Sequence, residues 1–462
     1  MAAQWQNSRR LKERVLVNGK LVLRTPTHLG VGDTDNPIDM PLLRDPLEGR
    51  ALLTGSTMAG ALRNYLHRQN PSLALKLFGS VQGDTSRESY LIIDDALGDF
   101  PKVEFRDGVA INPKTRTAAD KKKFDYELLQ AGTFFDIQLE LLVPLDEGDQ
   151  YIEGLVICLT ALEREQINLG KRKRRGFGRC GVSDWSVQRF DMTSPQGMFA
   201  WLEHSSGTLT NGDSIAKRLL DREIDLISAD VCQLIFDVEI DGSMLIRSDA
   251  DSDSGPDFVH LHSYRNGEKR PIISGTSIAG ALRQRTLKIA NTLEKNGQEV
   301  ANALFGAYAY DNESDLTLTA SRIWIDEAKI VEPVQRVQSR IKIDRLTGST
   351  FQEALFTEQP IFAKAQTGFQ IRLRLMEPQN SDVGLLLLLV KDLWLGDLTL
   401  GGESSIGRGR LVGKRAELTF NGQKWIIAET GAGTLEIKNP SDPDSVQLQN
   451  FVNEFAAGGS HE

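Results

Sequence analysis

Little in this chain can build a disulfide framework or a soft-metal site. Its 462 residues hold three cysteines, Cys158, Cys180 and Cys232, at spacings that match neither a zinc motif nor a paired scaffold. A reducing, cytoplasmic setting is the expectation that follows. Long hydrophobic runs are missing too. The longest, residues 385–390 (LLLLLV), is far short of a bilayer span, and the opening MAAQWQNSRR has no apolar stretch of the signal-peptide kind, so no membrane partner is expected. Histidine is scarce, with six residues, and there is no HExxH, CxxC, P-loop or GxSxG. The common zinc-hydrolase, P-loop and serine-hydrolase chemistries are left without an anchor. His260 and His262 form a lone HxH, which reads as a strand with polar side chains rather than a metal site. Positive charge is not in surplus either: 54 Lys and Arg against 63 Asp and Glu give a net charge of −9. That total argues against a nucleic-acid partner, but local basic runs decide binding more than the total does.

What the chain does have is a repeat. Residues 52–66, LLTGSTMAGALRNYL, recur as 272–287, IISGTSIAGALRQRTL. Each copy runs an apolar pair, Ser or Thr followed by Gly, two hydroxyl residues, an apolar residue and AGALR. The pattern predicts a strand end, a tight turn at Gly55 or Gly275, and a helix capped by Ser56 or Thr57 in one copy and by Thr276 or Ser277 in the other. Met58, Leu62, Tyr65 and Leu66 follow at helical spacing, as do Ile278, Leu282 and Leu287 more loosely. Free amides and the macrodipole at such a helix start suit a phosphate; the same pattern also describes a capped helix with no ligand.

Other segments repeat in the same order. The opening strand at 14–29, with a turn at Asn18-Gly19, is answered by a strand at 231–246. Broken acidic loops follow at 30–50 and 247–256. Leu77-Phe78-Gly79 is answered by Leu304-Phe305-Gly306, and the short strand ending IIDDA at 92–96 by IWIDEA at 323–328. The alternating strand 133–143 returns at 368–376, and the amphipathic helix 153–167 returns at 382–395, whose segment 385–389 should be buried all round. The order strand, helix, strand, strand, helix, strand is that of the split βαβ unit. The expected fold class is therefore α+β: two tandem ferredoxin-like, RRM-like modules with insertions, made by duplication. Expected bounds are 1–195 for the first module, 196–229 for a connector, 230–428 for the second module and 429–462 for a loose tail.

The strongest local chemistry lies in the loop 170–182, GKRKRRGFGRCGV. Lys171, Arg172, Lys173, Arg174 and Arg175 repel one another, and Gly176 and Gly178 let the main chain approach a ligand closely. A ribose-phosphate strand is the natural partner, with Arg179 beside it, and a solvated turn is the alternative. The second copy offers Arg408 and Arg410 in GRGR at the equivalent place. Arg175-Gly176-Phe177-Gly178 opens like an RNP sequence, but Arg179 stands where a stacking aromatic belongs, so base stacking on the sheet is not expected. The acidic loops hold Asp33, Asp35, Asp39 and Asp45. Aspartates beside a basic groove can hold a divalent metal or activate a ribose hydroxyl, and they also form turns.

The segment 39–46 (DMPLLRDP), the LTGS at 53–56, the AGALR helix and the late GFGR loop together resemble the RAMP superfamily. They are most similar to the backbone subunits of type III CRISPR effector complexes, here as two fused modules in the type III-D style. FDYELL at 124–129 and IDRLTG at 343–348 are similar to further segments of that family, the second in its protruding thumb hairpin. The resemblance implies a subunit that binds guide RNA, kinks the guide–target duplex with its thumbs and cuts the target RNA alongside other subunits of the complex. It implies catalysis and metal binding at Asp39, with Asp257 in the matching place of a second copy that lacks the Pro and the Arg-Asp-Pro. Asp33, Asp35, Asp251 and Asp253 stand in reserve. The implied cofactor is a divalent metal, expected to be magnesium, and the implied reaction is attack by the adjacent 2′-hydroxyl. Ser56 and Ser277 at the helix starts and Arg345 in the thumb join the RNA contacts. Arg63 and Arg283 replace a lysine that the family commonly carries near the helix start, where this chain has Ala59 and Ala279. Rival readings are an RNA-binding scaffold with inert aspartate loops and a guide-processing endoribonuclease. A metabolic enzyme on the same fold has no cofactor motif to support it.

Overall fold

The computed structural model describes residues 10–31, 39–80, 87–111, 118–203, 208–209, 213–226, 230–248, 255–265, 267–307, 319–430, 434–443 and 445–457. Alternation of apolar residues builds a mixed α+β chain around two sheets. In the first, antiparallel neighbours run in the order Leu91–Ile93, Phe134–Pro144, Leu11–Leu23, Cys180–Asp191 and Thr208–Leu209. Val15, Val17, Leu21 and Leu23 of the central strand are buried, as strand periodicity requires. The turn expected at Asn18-Gly19 is absent, and the strand runs through it with a bulge between Asn18 and Lys20. Gly19 is there because a Cβ would collide with the indole of Trp185.

The second sheet repeats this plan as Ile323–Ile325, Gly368–Met376, Val231–Asp241 and Arg410–Phe420, then adds Gln423–Glu429 and Leu435–Lys438. Helices Gly55–Gln69 and Gly148–Glu163 share one core with the first sheet, and helices Gly275–Thr292 and Asn380–Trp394 share another with the second. The repeated helix starts are capped at least two residues earlier than expected. Thr54 accepts the Thr57 N–H at 3.2 Å and Ser274 accepts the Ser277 N–H at 3.2 Å. Gly55 and Gly275 form the first turn instead, pressed so tightly onto the carbonyls of Ile93 and Ile325 that a side chain would not fit. Each module also carries a hairpin between its second and third strands, Val103–Ile111 with Ala118–Leu129 and Gln338–Ile343 with Thr350–Gln359.

Two expected boundaries are corrected. Ile215, Ala216, Leu219 and Ile224, placed in a connector from sequence, are buried in the first core. The expected loose tail carries a strand, Leu435–Lys438, and a helix. Its helix Val446–Ala457 sets Leu448, Phe451 and Phe455 into the second core, and Trp425 Nε1 donates to Asp442 at 3.1 Å. Those apolar residues recur at i, i+3 and i+7, a stripe hidden by the polar composition around it.

The two modules meet across a polar seam. Arg175 donates to the carbonyls of Ile323 (2.9 Å) and Phe305 (3.2 Å) and to the Ser321 hydroxyl (3.2 Å). Nearby, Glu327, whose side chain is fully shielded, pairs with Arg106 of the first module and with Arg265 at 2.6 Å, while Glu104 accepts from Ser263 and from the Tyr264 N–H at 3.1 Å. Buried charges matched this closely fix the relative placement of the modules, because separating them would leave charge without a partner.

Candidate nucleic-acid interface

Both candidate catalytic aspartates sit at the base of a hairpin. The exposed Asp39 accepts the Asp125 N–H at 2.9 Å, and the next residue, Met40, bridges in parallel to Tyr126. Asp257 accepts the Thr357 N–H at 2.6 Å and its hydroxyl at 3.0 Å, and the next residue, Phe258, pairs in parallel with Glu358. The two copies therefore place an aspartate against the returning strand of each hairpin by the same backbone contact. Hydrogen bonds from Thr357 hold the Asp257 carboxyl below the usual carboxylate range. In the first copy Glu127 fixes the loop further by accepting the Leu42 N–H at 2.9 Å and pairing with Arg44 at 3.3 Å. Asp45 forms a turn, accepting the Leu47 and Glu48 N–H groups. Asp33, Asp35, Asp251 and Asp253 lie outside the described residues.

The two glycine loops share a backbone. A left-handed residue, Arg172 (φ 55°) or Glu403 (φ 63°), leads into one turn of 3-10 helix, Lys173–Arg175 or Ser404–Ile406. A left-handed glycine, Gly176 (φ 91°) or Gly407 (φ 86°), ends it. Their side chains differ in use. Lys171 is exposed, and the Arg172 guanidinium lies 4.6 Å from the Phe124 ring centre and 5.3 Å from that of Tyr126. Arg179 pairs with Glu165 at 2.8 Å, and Arg410 is 3.9 Å from Asp241.

Three arginines expected to grip RNA are committed to the protein instead. Arg175 is the seam contact described above. Arg283 caps the helix Gly297–Phe305 through the carbonyls of Ala301 (3.2 Å) and Gly306 (2.8 Å). Arg408 is buried, held by Glu358 at 2.6 Å, Glu403 at 2.7 Å and Gln338 at 2.9 Å. In each case a carbonyl or carboxylate shielded from water outcompetes a solvent-facing role. Ser56 and Arg63 are exposed on the first AGALR helix, Ser277 is partly buried, and Arg345 is exposed in the turn of the second hairpin. The first helix start already has an anion, since Asp95 accepts the Gly55 N–H at 2.7 Å.

Sequence reading missed a cleft of about 200 Å³ at the seam, lined by Asn64, Arg68, Lys173, Arg174, Arg322, Trp324 and Glu377 among others. The guanidinium carbons of Arg68, Arg174 and Arg374 lie 5.9, 5.8 and 5.3 Å from the Trp324 ring centre. Lys173 and Arg174 were read from the basic run; the signal for the facing wall was a tryptophan in the short IWIDEA strand, larger than any residue at the matching IIDDA position.

No group of three or more His, Cys, Asp and Glu side chains gathers to hold a metal among the described residues. His260 is buried with Nε2 3.0 Å from the Ile272 carbonyl, and burial pushes its pKa down to about 4. No helix among the described residues is long and apolar enough to cross a membrane.

The RAMP superfamily model matches residues 20–181 and again 237–412. A CRISPR system Cms endoribonuclease Csm3 from Enterococcus italicus is 26% identical over an alignment of 190 residues that covers 36% of this chain and 88% of that protein. With two matches that together take in most of the chain and fall on the two sheets, this protein belongs to the RAMP superfamily, in two copies.

Proposed function

We propose that the chain is a guide-RNA-binding backbone subunit of a type III CRISPR effector complex that cuts complementary target RNA at Asp39 and Asp257. The observation that carries this reading is the repeated seat of an aspartate at a hairpin base, once per family match. Each module is read as a ferredoxin-like unit on the repeated strand order, with its hairpin as the thumb. The similarity to an endoribonuclease named Csm3 supports RNA as substrate. Three buried, free cysteines, their thiols pushed up by burial, suit a cytoplasmic setting.

In this reading the 2′-hydroxyl beside the scissile bond attacks phosphorus, and the 5′-oxygen of the next nucleotide leaves with a proton. Asp39 offers Oδ1 to the RNA while its Oδ2 is pinned by the Asp125 N–H, so the carboxylate is oriented before substrate arrives. Asp39 and Asp257 would each hold magnesium with a single carboxylate. That sparse set suits an ion that keeps its waters and takes other ligands from phosphate oxygens, where it neutralises developing charge. Lys171 and Arg63 are exposed and would contact the guide backbone.

Reconstitution with guide, target RNA and magnesium tests this. Asp39→Ala should remove one cut and Asp257→Ala another, one module apart, each by roughly 100-fold or more, with guide binding unchanged. Retention of every cut by both variants would return the chain to the scaffold reading. That second reading is favoured in the second module by the three contacts between Asp257 and Thr357, which tie the aspartate down as a structural cap.

A further inference from the structure

The seam cleft brings together cations that the rest of the molecule leaves unbalanced. Arg68 comes from the first AGALR helix, Lys173 and Arg174 from the basic loop, and Trp324 from the edge strand of the other module. Glu377 is the one carboxylate among its lining residues; its charge favours Arg68 from a distance, without a direct ion pair to Arg68, Lys173 or Arg174 among the described residues. The contacts with Trp324 restrain Arg68 and Arg174 without cancelling their charge. Lys173 and Arg174 are partly buried, and burial lowers the proton affinity of both, with repulsion from Arg174 and Arg68 added at Lys173; Arg68, more open to solvent, is lowered by partial desolvation and by Arg374 and Arg174. Holding them together costs free energy that an anion would recover.

We propose that this cleft is a phosphate site, in which Arg68 and Arg174 grip one phosphate group and Lys173 adds a third charge. The site needs both modules, since neither the helix with its loop nor the edge strand alone assembles it. Planar guanidiniums match tetrahedral phosphate oxygens in pairs, which a lysine cluster would not do. The assignment rests on the RNA-binding reading only for the source of the phosphate, a ribose-phosphate strand crossing the seam; a free phosphate compound is the other source of the same chemistry.

The test uses the full chain and an Arg68→Gln/Arg174→Gln variant. Binding of a labelled single-stranded RNA is followed as a function of salt, and thermal melting is followed with and without pyrophosphate. Loss of one phosphate contact should reduce the slope of log affinity against log salt by about 0.7. Lys438→Gln, on the opposite edge strand of the second sheet, should leave that slope unchanged. A reduced slope assigns the site to RNA. An unchanged slope with loss of pyrophosphate stabilisation assigns it to a free phosphate compound. If the parent chain binds no RNA but shows a pyrophosphate response that the variant loses, the functional reading fails and the cleft assignment stands. Unchanged slope and unchanged pyrophosphate response would overturn the proposal. So would an equal loss of slope in Lys438→Gln. The variant should melt no lower than the parent, because repulsion is relieved; a lower melting point with both responses intact would mark the arginines as structural and also overturn it.

Discussion

The basic loop of the first module and its counterpart in the second follow one path with different residues. In both, the second glycine stands where nothing larger fits: a Cβ at Gly178 would collide with the Leu169 carbonyl and one at Gly409 with that of Leu400. Between the glycines the next residue clamps the module's own hairpin. In the first copy it is Phe177, buried against Tyr126 at 5.8 Å between ring centres. In the second it is Arg408, bonded to Glu358 and Gln338. The frame is fixed by steric necessity, while the side chains on it have been reassigned. The first copy sends Arg175 across the seam and leaves Lys173 and Arg174 at the cleft; the second carries Ser404, Ser405 and Ile406 into solvent.

If Phe177 and Arg408 do the same work by different chemistry, both should be costly to remove and should differ in kind. Phe177→Ala is expected to destabilise by about 3–5 kcal/mol through a cavity. Arg408→Ala is expected to cost about 3 kcal/mol, at the low end for breaking a buried ion pair because Arg340 still pairs with Glu358. Denaturant melts of the two variants measure this, and a near-neutral Arg408→Ala would break the equivalence.

The residues just before the left-handed glycines make a second, smaller contrast. Arg175→Ala removes charge-assisted bonds to two carbonyls and a hydroxyl across the seam, an expected loss of about 1.5–3 kcal/mol. Ile406, its counterpart, is 52% exposed, so Ile406→Ala should stay within about 0.5 kcal/mol. Equal losses in the two loops would mean that the seam contributes nothing specific to the first.

Much of this architecture was legible because duplication writes it twice. The AGALR frame, the alternating 133–143 strand and the glycine loops announce themselves through local spacing. Local spacing also explains what was missed. Asn18-Gly19 has the composition of a turn, but its glycine answers to Trp185, a residue far along the chain. Arg283 and Arg408 look like free cations in a sequence, since their carbonyl and carboxylate partners cannot be seen there. Asp39 and Asp257 were singled out by resemblance, while their hairpin partners, 86 and 100 residues away, could not be. The cleft draws on residues from Asn64 to Glu377; the basic run at Lys173 and Arg174 marked one wall, and a single tryptophan marked the other.

The helix caps offer the finest test of how alike the modules remain. Thr54 and Ser274 make the same bond at the same distance, so the cap itself should be worth about 1 kcal/mol in each copy. The surroundings are not alike. The first helix start is open, with Ser56 exposed, whereas the second faces the first module, and a Cβ at Gly275 would meet the Arg175 carbonyl as well as that of Ile325. Water can replace a lost cap at the open end more easily than at the covered one. Ser274→Ala is therefore expected to cost more than Thr54→Ala, by a few tenths of a kcal/mol in paired melts. An excess on the Thr54 side would place the protected helix start in the first module and reverse the account of the seam.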